Sequence, residues 1–530
     1  MSGGSRVVDK GGAAGARVPS GHGAAAGAHL QRGRGPAGAR RPPARLGATR
    51  IAATGLLLGL IAALMLAVGL HFGLRVLLIC VGAPSLLAGV YLLWQVDPAY
   101  TLTAGFLLSP FSGNWQYLHF PSGVDPDRIL LTFGIVQVLL RAPHLRRRPQ
   151  LRWMAAHLAM LLAVGYAAVS AYFAHTLFSK DPLFKLIDSY GVIPFLVFTT
   201  APLAFRTARH RAMLLAALVA MGLYLGLTTV FETVHLNALV FPRYILNPHV
   251  GYHYGRGRGP FVDAVANGFA LATCAIACVV AHSTWTGLRA RALAVVVALL
   301  CVGGAFMSLE RSVWLGAGCG ILAAMALTRR LRRHLLPAIA LGALVVSASL
   351  ALIPSFSHSV SARATEVNPI WDRENLARAG LNMIEARPLT GFGWQTFQSD
   401  SRLYFQQSQN YPLTATTFVV HNFLLGYAVE LGVIGLALWL AAVLLGVGSA
   451  LGTRGPPDLE MWRVGLIAVA IMFAVVANSI PPSEFPNLAL WLWAGVVLAG
   501  RYELKEQAQT VPVTPQSRNA LPGRAAPARM

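Results

Sequence analysis

The sequence has 530 residues, of which 55% are hydrophobic and only 12% are charged, and its mean hydropathy is +0.57. Soluble domains carry about 25% charged residues, so this composition excludes a soluble globular protein and indicates a polytopic membrane protein. The formal net charge is +23, but the arginines cluster in short segments between apolar runs. Membrane orientation accounts for that pattern, and we exclude nucleic-acid binding.

Residues 1–50 are rich in Gly, Ala, Pro and Arg and lack apolar periodicity, which predicts a disordered basic tail. After this tail, apolar segments recur with lengths near the roughly 20 residues that cross a bilayer core. They predict spans near residues 51–70, 76–94, 99–112, 128–140, 153–174, 187–205, 212–232, 261–282, 292–308, 312–328, 335–353, 421–449, 463–480 and 486–500. We therefore expect an all-α polytopic integral membrane protein with about 12–14 transmembrane helices. Residues 51–353 would form an N-terminal bundle, 421–500 the C-terminal helices, and 501–530 a second disordered tail.

The basic residues predict how the chain is oriented. Arginines concentrate in four connections between spans, at residues 141–152, 206–211, 289–291 and 329–333. An even number of predicted spans separates these connections, so all four fall on the side of the N-terminal tail, which the positive-inside rule makes cytoplasmic. Both termini are then cytoplasmic, and residues 354–420 form one long extracytoplasmic loop, in which we expect short helices.

Three places on the predicted outer face hold arginine where orientation gives no reason for it: Arg256 with Arg258, Arg311, and Arg373. A guanidinium stays charged and forms paired hydrogen bonds to phosphate oxygens, so a lipid diphosphate would suit them. Alternatively, they extend to lipid headgroups or pair with Glu310 and Glu374.

His421 begins the apolar segment that follows the loop. On a continuous helix, Gly432 and Gly435 would return to within roughly 40° of His421, with Glu430 on the opposite side. The glycines would leave a groove beneath the histidine, either for a lipid tail or for the close approach of another helix. Histidine is a suitable base near neutral pH.

Four segments together resemble the O-antigen ligase and polymerase superfamily. They are His421-Asn422 followed by Gly432-Val433-Ile434-Gly435, the hairpin Ser308–Gly316, the turn Pro388–Gly393 preceded by Arg373, and Gly259-Pro260-Phe261 followed by Asn267. The hairpin departs from the usual pattern at Glu310 and Ser312, and Ala377 replaces an aromatic residue or leucine four residues after Arg373. The resemblance covers roughly residues 250–450.

This resemblance implies a metal-independent, inverting membrane glycosyltransferase of the GT-C type, without cofactor. It would move a glycan from a polyprenyl-diphosphate carrier to an acceptor hydroxyl, outside the cytoplasmic membrane. The implied catalytic residues are His421, Arg311 and Arg373. The implied substrate-binding residues are Arg256, Arg258, Asn422, Gly432, Gly435 and Trp394. Loop aromatics such as Trp394 would stack on sugars, form the core of the loop or lie in an interfacial belt.

Two other functions compete with this interpretation. Asp125 and Asp127 have the DxD spacing of metal-dependent glycosyltransferases, although a proline turn also explains them. A polytopic transporter or lipid-linked glycan flippase would need ionisable residues or helix breaks near the bilayer midplane in paired halves. The sequence has no internal repeat, and Glu430 is the one candidate mid-span charge. Polymerase and ligase are not separable from the sequence, nor are the glycan and the acceptor.

Overall fold

The computed structural model describes residues 87–121, 123–141, 154–329, 331–352, 368–405, 420–478 and 484–501. The chain divides into two units, residues 1–88 and 89–530. The predicted tail at 1–50, the predicted span at 51–70, much of the loop at 354–420 and the chain beyond residue 501 lie outside the described ranges.

Every regular element in these ranges is helical, which confirms the all-α fold. The helices up to the loop are α1 (Pro98–Leu108), α2 (Pro126–Arg141), α3 (Ala155–Phe173), α4 (Lys180–Phe184), α5 (Val192–Ala204), α6 (Ala208–Thr233), α7 (Ala264–Thr284), α8 (Leu288–Met307), α9 (Arg311–Leu327) and α10 (Leu335–Leu352). The later helices are α11 (Asn368–Ala386), α12 (Phe397–Asp400), α13 (Phe423–Leu451), α14 (Pro457–Ala477) and α15 (Glu484–Leu498). A π-helical turn, Lys185–Tyr190, joins α4 to the segment before α5.

Seven helical segments of the described chain are long and apolar enough to cross a bilayer. They are Ala155–Phe173, Lys180–Ala204, Ala208–Thr233, Ala264–Thr284, Leu288–Met307, Phe423–Leu451 and Pro457–Ala477. The protein is therefore a multi-pass membrane protein. The predicted spans at 99–112 and 128–140 fold as α1 and α2, with 11 and 16 residues. At about 1.5 Å per residue, neither helix covers a hydrocarbon core of about 30 Å.

The loop at 354–420 contains helices, as the sequence predicts, but the first of them is not short. α11 has 19 residues, whereas α12 and the 3-10 turn Ser401–Tyr404 have four each. The helix α11 packs on α13 through Gly380, where an added Cβ would lie 3.1 Å from Leu425. The loop is thus folded against the bundle.

Small residues set the packing of the bundle. α7 is its central helix, because 94% of its most apolar 18-residue stretch is buried. Helices α9 and α14 approach closely because Gly316 and Gly320 face the backbone of α14 at Met472 and Ala468, without space for a side chain. Close approach of this kind is how helices associate in lipid, where water does not drive apolar surfaces together.

Polar side chains pair at both ends of the bundle. At one end, which we call the basic end, Arg211 donates to Asp458 at 2.7 Å and Arg501 donates to Thr453 at 3.0 Å. At the other, which we call the loop end, Arg128 binds Asp188 through two guanidinium nitrogens. Groups that the sequence predicts on one side of the membrane therefore meet, although they are up to 247 residues apart.

Candidate active site

Helix α13 is broken where the sequence predicts a continuous span. Gly432 has φ 66° and ψ −175°, which interrupts the helix after nine residues. The turn Pro388–Gly393 of the loop fills the break through four backbone hydrogen bonds. They run from Phe392 N to Val429 O at 3.0 Å, Gly393 N to Glu430 O at 2.9 Å, Val433 N to Pro388 O at 2.8 Å and Ile434 N to Leu389 O at 3.4 Å.

Two glycines make this docking possible. A Cβ on Gly432 would overlap the Leu389 carbonyl oxygen, and a Cβ on Gly391, whose φ is 69°, would lie 2.6 Å from the Gly432 nitrogen. The φ and ψ of Gly432 belong to a region that is essentially restricted to glycine. The two motifs that hold these glycines, one in the loop and one in the helix, therefore form a single structural unit.

The break corrects the expected geometry of the glycines. His421, Gly432 and Gly435 do not share one helix face, because α13 begins after His421 and is interrupted at Gly432. The backbone of the loop turn occupies the space beside Gly432, and Tyr166 of α3 approaches Gly435, where a Cβ would lie 2.9 Å from its ring. Of the two uses predicted for the glycines, the structure thus shows close packing.

His421 lies at the loop end, directly before the first turn of α13, and its side chain is half-buried. Asn422 is the N-cap of α13, and its side-chain oxygen accepts a hydrogen bond from Leu425 N at 3.0 Å. A cap of this type satisfies a helix donor and fixes where the helix starts. The amide of Asn422 is therefore used within the protein, where it holds the histidine in place.

Arg311 is the first residue of α9 and is exposed. Its neighbour Glu310 is buried and pairs with Arg256 at 2.5 Å. The two predicted outer segments at 256 and 311 therefore meet, and Glu310 joins them. Asp263, the N-cap of α7, lies in the same region: burial raises the pKa of its carboxyl, whereas the amides of Val265 and Ala266 and the charge of Arg256 act to lower it.

Arg258 has a different environment from Arg256. Its side chain is fully buried, and its guanidinium donates to the carbonyl oxygens of Val250, Ile245 and Asn247 at 2.6–2.8 Å. It also lies 3.6 Å from Glu232. Burial lowers the pKa of the Arg258 guanidinium, whereas the charge of Glu232 acts to raise it. These contacts give Arg258 an architectural role, in which it holds the segment that presents Arg256.

Arg373 projects from the first half of α11 and is exposed. The apolar side of the same helix is buried against α13, with Leu376 and Met383 in a cluster that also contains Val420 and Val429. The cluster brackets His421 in sequence, so α11 and His421 belong to the same end of the molecule.

Trp394 was expected to stack on sugar, to form the core of the loop or to lie in an interfacial belt, but its ring packs in the core of the bundle. Its side chain is 1% exposed. The indole nitrogen donates to Pro182 O at 2.9 Å, and the ring contacts Tyr190 and Tyr427 with centroids 5.1 and 6.1 Å apart. Trp394 therefore anchors the loop to the bundle, and its ring is not accessible to a glycan in this structure.

Helix α14 connects the two halves of the candidate site. Its outer part meets α9 at Gly316, where a Cβ would lie 3.0 Å from Met472 O. Close by in the sequence, Phe473 contacts Phe423 of α13 with ring centroids 5.8 Å apart. Arg311 precedes Gly316 by little more than one helical turn, and His421 precedes Phe423 by two residues. The elements that carry Arg256, Arg311, Arg373 and His421 therefore meet at the loop end.

The two aspartates with DxD spacing are engaged within the protein. Asp127 accepts a hydrogen bond from the Trp115 indole at 2.7 Å, and Asp125 pairs with Arg128 at 2.7 Å. Arg128 in turn binds Asp188. Among the residues that the structure describes, no group of His, Cys, Asp and Glu is arranged to hold a metal ion.

Some site residues were not predicted. Gln395, next to the docked turn, accepts a hydrogen bond from Lys185 at 2.7 Å and donates to buried Glu430 at 3.5 Å. The sequence marks Glu430 as an unusual charge in an apolar segment, but nothing in it points to Gln395 or Lys185, which lie 35 and 245 residues before Glu430. Gly391 could have been found from its motif, as a glycine required by a close backbone approach.

Residues 296–440 match the family model described as O-antigen ligase. This region contains the Ser308–Gly316 hairpin, Arg373, the Pro388–Gly393 turn, His421, Gly432 and Gly435. The match confirms the resemblance to the O-antigen ligase and polymerase superfamily and supports a ligase- or polymerase-like function in general. The segment Gly259–Phe261 with Asn267 lies outside the matched region. No curated protein sequence matches the chain.

Proposed function

We propose that this protein is a membrane glycosyltransferase that moves a glycan from a polyprenyl-diphosphate carrier to an acceptor hydroxyl. The reaction takes place at the loop end, on the outer face of the cytoplasmic membrane, with both termini in the cytoplasm. One observation carries the proposal: three motifs of the matched region, which present Arg311, Arg373 and His421, lie on elements that meet at this end. The acceptor is a growing polysaccharide or another glycan-bearing molecule.

The electrostatics of the loop end suit a diphosphate. Arg311 and Arg373 are exposed there, and guanidinium groups bind phosphate oxygens through paired, charge-assisted hydrogen bonds. The N-termini of α7, α9 and α13 lie at the same end, and each adds partial positive charge. Arg256 assists from its ion pair with Glu310, and Arg258 positions Arg256 from behind.

The chemical step follows from these groups. His421 takes the proton of the acceptor hydroxyl as the oxygen attacks the anomeric carbon of the donor. The bond between that carbon and the diphosphate oxygen breaks, and the leaving diphosphate keeps the bonding electrons. Arg311 and Arg373 stabilise the charge that develops on it. Direct displacement inverts the configuration at the anomeric carbon. The arginines stabilise the charge of the leaving diphosphate without a metal or cofactor.

A transporter or flippase would use a broken helix differently. In transporters, carbonyl oxygens freed by a break coordinate the transported ion. Here the freed carbonyls of Val429 and Glu430 accept hydrogen bonds from Phe392 and Gly393. The break is therefore filled by the protein's own loop, which favours a static site over a transport path.

The test is the size profile of surface glycan in a strain that lacks this protein and is complemented with variants at equal membrane abundance. We expect His421→Ala to abolish transfer, and Arg311→Lys to be nearly as harmful because a point charge cannot replace the planar fork. His282→Ala and Arg289→Lys, both at the basic end, are the matched controls. If His421→Ala restores long or attached glycan as wild type does, His421 is not the base, and the transporter or flippase hypothesis is favoured instead.

A further inference from the structure

A large cavity lies at the basic end, opposite the candidate active site. It measures about 1570 Å³ and opens between five helices, α7, α8, α9, α10 and α14. Its walls are mostly apolar and include Val279, Val295, Ile321, Leu341 and Val464. This volume exceeds the roughly 300–1,000 Å³ that is usual for small-molecule sites. The size and the apolar lining therefore suit the hydrocarbon chains of a lipid. We call this cavity the basic-end groove.

The rim of the basic-end groove carries uncompensated positive charge. Its two carboxylates are already paired, Asp458 with Arg211 at 2.7 Å and Glu460 with Arg463 at 2.6 Å. Three further rim arginines, Arg291, Arg329 and Arg333, have no carboxylate partner within the described residues. His282 and His334 lie beside Arg291 and Arg333, at 3.2 and 3.1 Å. An apolar cavity beneath a cationic rim is complementary to an anionic amphiphile.

Helix α10 shows where such a molecule would be needed. It borders the groove through Pro337, Ala338 and Leu341, and its neighbouring side chains Leu336, Ile339 and Leu344 are 77%, 48% and 64% exposed. Arginines at this end also orient the chain in the membrane, but orientation requires only charge in the connection. It does not explain why the arginines surround a cavity that enters the bundle.

We propose that the basic-end groove binds an anionic phospholipid of the surrounding bilayer, taken from the leaflet that this end faces. The acyl chains lie between α10 and the other four helices, and Arg291, Arg329 and Arg333 bind the headgroup phosphate. Basic pockets between transmembrane helices on the cytoplasmic side are typical sites for such headgroups. The lipid closes the bundle beside α10, and the site does not depend on the transferase reaction.

The test uses the full chain, purified in nanodiscs of phosphatidylcholine that contain a trace of phosphatidylglycerol with a photoactivatable acyl chain. We expect crosslinks to map to groove-lining segments of α8, α9, α10 and α14. Excess phosphatidylglycerol should compete, whereas phosphatidylcholine and inorganic phosphate should not. The triple variant Arg291→Gln, Arg329→Gln, Arg333→Gln should reduce labelling roughly 10- to 100-fold, since each arginine contributes to headgroup attraction.

Two further variants keep the test decisive. Arg289→Gln removes an exposed arginine at the same end that does not line the groove, and it should label as wild type does. Ala338→Phe fills the chain-binding space with all arginines in place, and it should lose labelling without a change of charge. The proposal would be overturned if Ala338→Phe or the triple variant labelled as strongly as wild type, or if a phosphatidylcholine probe labelled wild type as strongly as the phosphatidylglycerol probe. Competition by inorganic phosphate would show that the rim binds a free anion instead.

Discussion

Gly432→Ala tests whether the docked turn is required for function. The added Cβ would overlap the Leu389 carbonyl oxygen and lie 2.7 Å from the Gly391 nitrogen. A residue other than glycine at this φ and ψ costs about 1–3 kcal/mol. Undocking the turn loses four backbone hydrogen bonds at about 1 kcal/mol each. The strain opposes docking, whereas these hydrogen bonds favour it, so the strain by itself lowers the equilibrium constant for docking roughly 5- to 150-fold at 1.4 kcal/mol per factor of ten, and the overlap lowers it further.

Two measurements check this prediction. Amide hydrogen exchange should show lost protection at Phe392, Gly393, Val433 and Ile434, whose amides make the four bonds. Glycan transfer in complemented cells should fall by up to the same factor at equal abundance, because the segment that carries His421 is held less firmly against the loop. Gly448→Ala is the control on the same helix, since no atom lies within 4 Å of its added Cβ. Wild-type protection and transfer in Gly432→Ala would refute the argument.

Four other outcomes follow from the site. Arg256→Gln should lower the free energy of unfolding by about 3 kcal/mol, because it removes the positive charge that pairs with buried Glu310, and adding Glu310→Gln should recover part of this loss in thermal unfolding. Trp394→Phe should reduce stability by about 1 kcal/mol through the lost hydrogen bond to Pro182, and a selective rise in KM for the glycan without lost stability would contradict the anchoring role. Arg373→Lys should impair transfer far more than Arg378→Lys at another exposed position of the same helix, and equal activities would remove Arg373 from the mechanism. Chelators should leave transfer unchanged, whereas a loss that magnesium or manganese restores would support the Asp125 and Asp127 alternative.

The sequence by itself determined the fold class and the helix positions. Predicted spans such as 212–232 and 292–308 became the helices Ala208–Thr233 and Leu288–Met307, because an apolar run long enough to cross the bilayer must satisfy its backbone internally. The motifs around Arg311, Arg373 and His421 also carry the family resemblance, which the match over residues 296–440 confirms.

Only the tertiary structure decided how the motif residues are used. A hydropathy pattern does not show where the backbone of one residue departs from helical φ and ψ. The segment that begins at His421 is therefore predicted as one helix, although Gly432 breaks it. Arg256 and Arg258 are alike in sequence, yet one lies in an ion pair at the loop end and the other is buried against three carbonyl oxygens. Gly391 and Trp394 likewise acquire their roles from distant backbone, at Glu430 and Pro182. Such contacts depend on which segments meet in space, and the composition and periodicity of one segment do not contain that information.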